Sequence, residues 1–343
     1  MISGYSGIYG SSRFETSYHS RSGSCHTREA TLFGGEINLS LQTGNSARRK
    51  KLIVTADDFG LARGINEAVE KAHRDGVVTA ASLIVNGGAF ESAVDVLKRN
   101  PWLDAGLHLN LTEGCPVTPL DGIPSLANSS GFLYHHPFEL LKGLIRRRVR
   151  LIDLETEIGG QLQKVSASGV RVTHLDGHKH VHVVPQVFDL VCRIAPVYGI
   201  LAVRSTVERA PKLCSLIVRN PGAAGQVLKQ YVFGKTLSAT FVMARSRNGH
   251  RTLNTPDRFY GITQTGFLDM PTFADMISSL PSGVSELMCH PGYVDEELMR
   301  APTRLHLQRE RELELLTGSE ARDLLKQAGV ELISYRDLGT WKE

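Results

Sequence analysis

The sequence is short of cysteine, and its few cysteines form no regular pattern. Five occur among 343 residues, and this odd, scattered set contains no CxxC pair. Disulfide frameworks and cysteine-rich zinc sites both need regular cysteine spacing. The composition therefore excludes a disulfide-stapled domain and a Cys-ligated zinc site. It fits a reducing compartment, for which we predict the cytoplasm.

Long hydrophobic runs and a large excess of one charge are also absent. The most apolar stretch, Phe188 to Val203, is interrupted by Asp189 and Arg193, whereas a membrane span needs ~18–20 uncharged residues. Lysine and arginine number 39 against 35 aspartate and glutamate residues, which gives a net charge of +4. We therefore expect no integral membrane segment and no nucleic-acid partner. The sequence leaves open whether the protein forms a homo-oligomer.

What is present is the composition of a folded globular protein, with 41% hydrophobic, 7% aromatic and 22% charged residues. Residues 1–50 differ from the rest, because the first 25 contain eight serines and four glycines without apolar periodicity. We predict a disordered extension there, or upstream sequence from a misassigned start codon, with a transit peptide as the weaker alternative. Residues 51–340 are predicted to form one catalytic domain.

From Lys51 onward, short β-branched runs alternate with amphipathic helical segments. This alternation is typical of parallel strands joined by helices, and seven or eight such units favour an α/β fold of the β/α-barrel type. Residues 205–255 show no clear pattern. The predicted strands are 51–55, 80–85, 104–109, 170–175, 202–204, 285–289 and 331–334. The predicted helices are 66–75, 90–98, 151–168, 186–194, 273–280, 304–316 and 320–328.

Acidic and imidazole side chains recur directly after four of the predicted strands. Since the carboxyl ends of parallel strands share one face of a sheet, we expect these side chains to converge at one site. Aspartate and histidine together suit a divalent cation with open positions for water and substrate. The candidate residues are Asp57, Asp58, His108, Asp176, His178, His180, His182 and His290.

The spacing of these residues leaves the ligand set open. Adjacent side chains on a strand point to opposite faces, so Asp57 and Asp58 can serve one site only if the strand ends there, as Phe59-Gly60 indicates. The three histidines within 178–182 share a face only in an extended segment, and the spacing does not say which of them binds. Each residue alone also has a structural alternative, as a turn or cap residue or as a hydrogen-bonded core histidine.

A basic cluster, Arg146-Arg-Arg-Val-Arg150, follows a helical pattern. Clusters of this size usually form a solvated helix face, and we favour this interpretation over a role in binding nucleic acid or an anionic membrane. No phosphate-binding loop and no nucleophile-elbow serine is present. Cys289, next to His290, is interpreted as a core residue.

Four longer segments occur in a fixed order along the chain. They are Thr55-Ala-Asp-Asp-Phe-Gly60, Gly106-Leu-His-Leu-Asn-Leu-Thr-Glu-Gly114, Thr173-His-Leu-Asp-Gly-His-Lys-His-Val-His182 and Glu286-Leu-Met-Cys-His-Pro-Gly292. Together they resemble the YdjC/ChbG family of carbohydrate deacetylases, which includes the hopanoid-associated HpnK proteins. The resemblance extends from Lys51 to Asp337 and is poor over residues 205–255.

The resemblance implies a barrel of the polysaccharide-deacetylase kind and an N-acetylated carbohydrate as substrate. The acetyl group would be removed from an amino sugar, either in a chitooligosaccharide or in lipid-linked N-acetylglucosamine. One divalent metal ion, Mg²⁺ or Zn²⁺, is implied as cofactor. The ligands carried over by motif are Asp58, His108 and His178.

The resemblance also suggests roles for the remaining polar residues. Asp57 corresponds to the free carboxylate that acts as the catalytic base, and we assign His290 as the acid that protonates the departing amine. Asp176 is a candidate to orient an imidazole from outside the ligand set. Lys179 stands where some relatives carry histidine, a departure that changes the rim of the site but no proposed ligand.

Two alternatives to a deacetylase are compatible with the same residues. A metal-dependent phosphoesterase uses similar aspartate and histidine chemistry, but it usually requires more positive charge or a second metal near the phosphate. A non-catalytic sugar-binding barrel requires no water-activating base.

Overall fold

A parallel sheet forms the centre of the protein. The structure, a computed structural model, describes residues 49–134, 136–210, 212–249 and 253–340. The predicted extension at residues 1–50 lies almost wholly outside the described residues, and the domain boundary stays a prediction. The strands are β1 (Lys50–Phe59), β2 (Ala80–Leu83), β3 (Asp104–Leu109), β4 (Val172–Gly177), β5 (Ala202–Val203), β6 (Arg258–Tyr260), β7 (Gly283–Cys289) and β8 (Val330–Leu332).

The sheet is curled, with the strand order β5-β4-β3-β2-β1-β7-β6 and with β8 paired to the beginning of β1. Every strand pair is parallel. The chain around and after β5 also approaches the opposite edge, because Ala202 bridges Asn254 and Glu208 bridges Phe259, both in parallel. The predicted α/β fold of the barrel type is therefore confirmed.

Helices cover the outer face of this sheet. In the first helix the buried residues Ile65, Ala68, Val69 and Ala72 follow a helical spacing and face the core. The helices are α1 (Arg63–Arg74), α2 (Phe90–Arg99), α3 (Pro137–Ile145), α4 (Leu151–Ala167), α5 (Pro185–Ile194), α6 (Leu213–Arg219), α7 (Ala224–Asn248), α8 (Met270–Ser278), α9 (Glu296–Arg300), α10 (Leu307–Thr317) and α11 (Ser319–Gln327).

The predicted elements agree with the structure wherever the sequence is strongly periodic. The strand predicted at 104–109 has those bounds, and the helix predicted at 151–168 is α4. The prediction that the first strand stops at residue 55 is wrong, since β1 continues to Phe59. Residues 205–255, left unassigned by the sequence, contain α6 and α7. Among the helices that the structure describes, none is both long and apolar enough to cross a membrane.

Candidate metal centre

The end of β1 contains an irregularity that determines where two carboxylates lie. Between regular pairs with β2, the residues Asp57 and Asp58 lie opposite a single residue, Ser82. Such a bulge bends the strand and redirects its side chains. Asp58 has a φ of 63°, a region that aspartate occupies more readily than most residues. Both aspartates are buried near the same histidine, although the strand does not end there as the sequence had suggested.

Asp58, His108 and His178 lie together at the carboxyl ends of β1, β3 and β4. Each offers one potential ligand atom, and the three atoms lie within 4.8 Å of one another. Asp58 Oδ1 is 3.7 Å from His108 Nε2 and 3.1 Å from His178 Nδ1. Segments far apart in the sequence thus bring together the three residues proposed as metal ligands.

Each of the two imidazoles contacts a further carboxylate through its other ring nitrogen. His108 Nδ1 is 2.7 Å from Asp176 Oδ1, and His178 Nε2 is 2.9 Å from Glu113 Oε2. Metal-ligating histidines usually donate their second N–H to a carboxylate, which fixes the tautomer and the ring orientation. The remaining nitrogens both face Asp58. This donor set, with its supporting carboxylates, fits one divalent cation.

The histidines that follow β4 do not form an extended segment. His178 begins a short 3₁₀ turn, His178–Val183, in which Lys179 and His180 have φ values of 51° and 58°. The turn separates the three imidazoles. Of these three, only His178 joins Asp58 and His108 in a group of potential ligands among the described residues. His180 and His182 are buried, with ring centroids 6.2 Å apart.

A buried guanidinium holds Asp57 in place. Arg204, directly after β5, donates to both oxygens of Asp57 at 2.7 Å. It also lies 2.7 Å from Asp176 Oδ2 and 3.0 Å from Glu286 Oε1. Burial acts to lower the pKa of Arg204, but the three carboxylates raise it well above its usual value. The guanidinium therefore stays charged and fixes the orientation of Asp57.

A second buried guanidinium contacts the proposed ligand Asp58. Arg309, in α10, donates to Asp58 Oδ2. Burial acts to raise the pKa of Asp58, but Arg309 and His178 outweigh it and hold that pKa well below its usual range. For His178, burial acts to lower the pKa, while Asp58 and Glu113 raise it to about 9. A cation that binds His178 therefore releases a proton, so its affinity decreases with falling pH.

His290 follows β7 and is buried. Its backbone N–H donates to Glu312 Oε2 at 2.6 Å, which fixes the main chain at this position. Burial lowers the pKa of His290 to about 4, and Arg309 also lowers it, although the Asp58 charge acts in the opposite direction. The imidazole is therefore uncharged at neutral pH in the absence of substrate.

Comparison with known proteins identifies the family. The sequence profile described as "YdjC-like protein" matches residues 51–327. The chain belongs to the YdjC-like family. It is similar to a carbohydrate deacetylase of Brevibacillus brevis, with 31% identity over 84% of this chain and 100% of that protein. For carbohydrate deacetylases of Geobacillus stearothermophilus and Mus musculus the identity is 32%, over 83% and 84% of this chain and 96% and 95% of those proteins.

A solved structure shares the fold of this YdjC-like chain. It is the crystal structure of a candidate cellobiose-phosphate cleavage protein from Enterococcus faecalis V583. The TM-score is 0.66 at 24% sequence identity, and the match covers 84% of this chain and 99% of that one. The likeness supports the curled parallel sheet described above.

Several charged residues of the centre were not predicted from the sequence. Glu113 lies inside one of the four motifs, so its position two residues after Leu111 in a polar loop was a usable signal. Arg204 directly follows an apolar run. An arginine is rarely buried without a charged partner, so this position was also a signal that carboxylates lie nearby. Arg309 lies in a charged helix more than 250 positions from its partner Asp58, and nothing in the local sequence distinguishes it.

Proposed function

We propose that the protein is a metal-dependent carbohydrate deacetylase that hydrolyses the N-acetyl group of an amino sugar. The observation that carries this proposal is the pair of carboxylate-backed imidazoles whose free nitrogens face Asp58. The names of the family relatives support the substrate class. The fold supports it too, because enzymes with parallel sheets have their sites at the carboxyl ends of the strands.

Asp58, His108 and His178 would hold the cation, either Mg²⁺ or Zn²⁺. When bound, it would supply a Lewis acid that makes water more acidic and polarises the amide carbonyl. Asp176 and Glu113 keep the two imidazoles in their orientations. Their contacts also favour the tautomer that leaves the cation-facing nitrogen without a proton.

Asp57 is proposed to accept a proton from the attacking water. Arg204 fixes this carboxylate at both oxygens, and each oxygen retains a second lone pair for the incoming proton. In the reaction, a bond forms from the water oxygen to the acetyl carbon, and the bond from that carbon to the amide nitrogen breaks. Acetate and the free amine are the products.

His290 is proposed to protonate the leaving nitrogen, since an amine anion is a very poor leaving group. Because the pKa of His290 is lowered to about 4, the resting imidazole is neutral and must first accept a proton before it can protonate the amine. We propose that the proton it delivers comes from the attacking water by way of Asp57, so that the proton removed from the water balances the one given to the amine.

The charges of the site favour deacetylation over phosphate-ester hydrolysis. A phosphoesterase requires cationic groups that are free to contact the phosphate. Here the guanidinium groups of Arg204 and Arg309 are already paired with carboxylates. A sugar-binding barrel without activity is disfavoured because it has no use for a carboxylate, Asp57, that Arg204 holds in a fixed orientation beside the proposed ligands.

The test is acetate release from N-acetylglucosamine oligomers and from lipid-linked N-acetylglucosamine, with chelated protein and with Mg²⁺ or Zn²⁺ restored. D57N should lower the rate by ~10²–10⁴ without loss of bound metal. H108A and H178A should lose bound metal, whereas H136A, at an exposed histidine, should keep it. Phosphate release without acetate release, or full metal content in both H108A and H178A, would contradict the proposal.

A further inference from the structure

One segment far from the proposed ligands has an unusual composition. Residues 140–152 contain only leucine, isoleucine, valine, glycine, lysine and arginine. Five of these thirteen residues are cationic, and none is acidic or carries a hydroxyl or amide group. The segment comprises most of α3, the tight corner after it and the first residues of α4. The nearest acids in sequence are Glu139 and Asp153.

The helix α3 is apolar on two opposite faces. Leu140 and Leu144 are buried against the protein. Phe138 and Ile145, seven residues apart and therefore on one face of the helix, have exposed fractions of 68% and 70%. A surface helix normally presents polar side chains outward. Packing against the core therefore does not account for this outward apolar stripe.

Further apolar side chains are exposed on the other side of the corner. Leu151 and Ile152, the first residues of α4, have exposed fractions of 52% and 60%. The corner itself is rigidly formed, because the backbone N–H groups of Arg148 and Val149 both donate to the carbonyl of Gly143. Four large apolar side chains therefore flank a fixed turn.

The cations of the same segment are almost all available to a partner. Lys142, Arg146, Arg147 and Arg148 are exposed, and none makes an ion pair or a side-chain hydrogen bond with the residues that the structure describes. Arg150 pairs with Asp153 at 2.7 Å. We call the whole surface the basic apolar corner; it consists of Phe138, Lys142, Ile145, Arg146, Arg147, Arg148, Leu151 and Ile152.

We propose that the basic apolar corner docks on the surface of an anionic lipid bilayer. This replaces the solvated helix face favoured by the sequence, because exposed apolar side chains lie beside the cations. The phenyl and aliphatic side chains would enter the interface between headgroups and acyl chains, and the cations would contact lipid phosphates. Surfaces that lie on membranes combine these two features, large apolar side chains and clustered lysine or arginine. The proposal does not depend on the activity proposed above.

Two other occupants fit the charges and the apolar groups less well. A second copy related by a twofold axis would place this cationic surface against itself, and opposed like charges destabilise a contact. A nucleic acid would engage the arginines through its phosphates, but it would leave Phe138 and Ile145 in water. Of these three occupants, only an anionic bilayer uses both kinds of side chain.

The test is sedimentation of the full chain with vesicles of equimolar phosphatidylcholine and phosphatidylglycerol, compared with vesicles of phosphatidylcholine alone. We expect binding to the anionic vesicles only, and weaker binding as salt is added. R146E/R148E should lower the partition coefficient at least about tenfold, since each cation near an anionic surface contributes about a fivefold gain. F138S/I145S should lower it as well.

The matched control is R322E/K326E, which makes the same change in net charge at exposed positions of α11 and should leave vesicle binding unchanged. If this control lost vesicle binding to the same extent, net charge alone would account for the effect of R146E/R148E, which would overturn the proposal. So would equal binding to both kinds of vesicle, absence of binding, a dimer in analytical ultracentrifugation that F138S/I145S dissociates, or tighter binding to duplex nucleic acid. The vesicle and salt comparisons use the unaltered protein and therefore do not depend on the folding of any variant.

Discussion

Glu113 lies outside the proposed ligand set but contacts one of its imidazoles, so we expect it to affect cation binding. Its carboxylate contacts His178 Nε2 at 2.9 Å and also Lys179. E113Q keeps the size of the side chain but removes the charge that orients the imidazole. We expect a loss of about 10–100-fold in metal affinity, measured by competition with a chromophoric chelator. E139Q, an exposed change of the same chemistry, should have no effect, and equal affinities in E113Q and the unaltered protein would contradict the assigned role.

The ligands could be proposed from the sequence because each follows a predicted strand and lies within an ordered motif. The buried arginines that contact the aspartates could not be predicted in this way. Whether Asp57 contacts Arg204, or Asp58 contacts Arg309, depends on which strands and helices become neighbours in three dimensions. The choice of His178 over His180 and His182 as a ligand rests on family resemblance. In the structure it depends on two left-handed residues in the turn, Lys179 and His180. The periodicity of side chains does not predict such residues.

Gly60 and Gly159 should respond in opposite ways to replacement by alanine. Gly60, directly after β1, has a φ of +92°, and an added Cβ would lie 2.8 Å from the carbonyl oxygen of Ile84. G60A should therefore lower the free energy of unfolding by about 1–3 kcal/mol. For Gly159, in α4, an added Cβ would meet no atom within 4 Å apart from its chain neighbours and the backbone of its own helix, and G159A should raise that free energy by about 0.5–1 kcal/mol.

Urea unfolding of both variants would measure these changes. Destabilisation by G159A, or no change in G60A, would mean that the backbone at these positions differs from the structure.

How well a whole element could be predicted from the sequence depended on how regularly its apolar residues are spaced. Amphipathic α4 was predicted because its apolar residues are periodic, whereas α7 has exposed apolar residues as well as buried ones, which obscures the helical period. The bulge in β1 depends on its pairing with β2 and has no local signature.

Across the whole molecule, several histidines are buried without charge, and His174 is the simplest to test. Its ring stacks on Tyr335 at 3.7 Å, and its Nε2 has no hydrogen-bond partner among the described residues. Burial lowers the pKa of His174 from 6.5 to about 4. Between these values the unfolded chain binds a proton that the folded protein does not, so stability must decrease as the pH falls through this window.

H174Q removes one such group. The decrease in the free energy of unfolding between pH 6.5 and pH 4 should become less steep by about 1.4 kcal/mol per pH unit, measured by urea unfolding in the presence of chelator. The comparison is with H136Q, which replaces an exposed histidine, and the change in slope should be larger in H174Q. A slope in H174Q equal to that of the unaltered protein would show that His174 is protonated in the folded state.

The pairing of two residues of β1 against one of β2 has a consequence for how the site tolerates insertions and deletions. In an uninterrupted strand, one of two successive acids would turn toward the helix layer, and the barrel mouth would keep only the other. Only Asp57 and Asp58 lie between the last regular pairs, so removal of one residue there would restore that two-residue repeat and leave a single acid. The length of this strand is therefore as strict a requirement as its chemistry, and a shortened β1 should lose either proton transfer or cation binding while the sheet itself still forms.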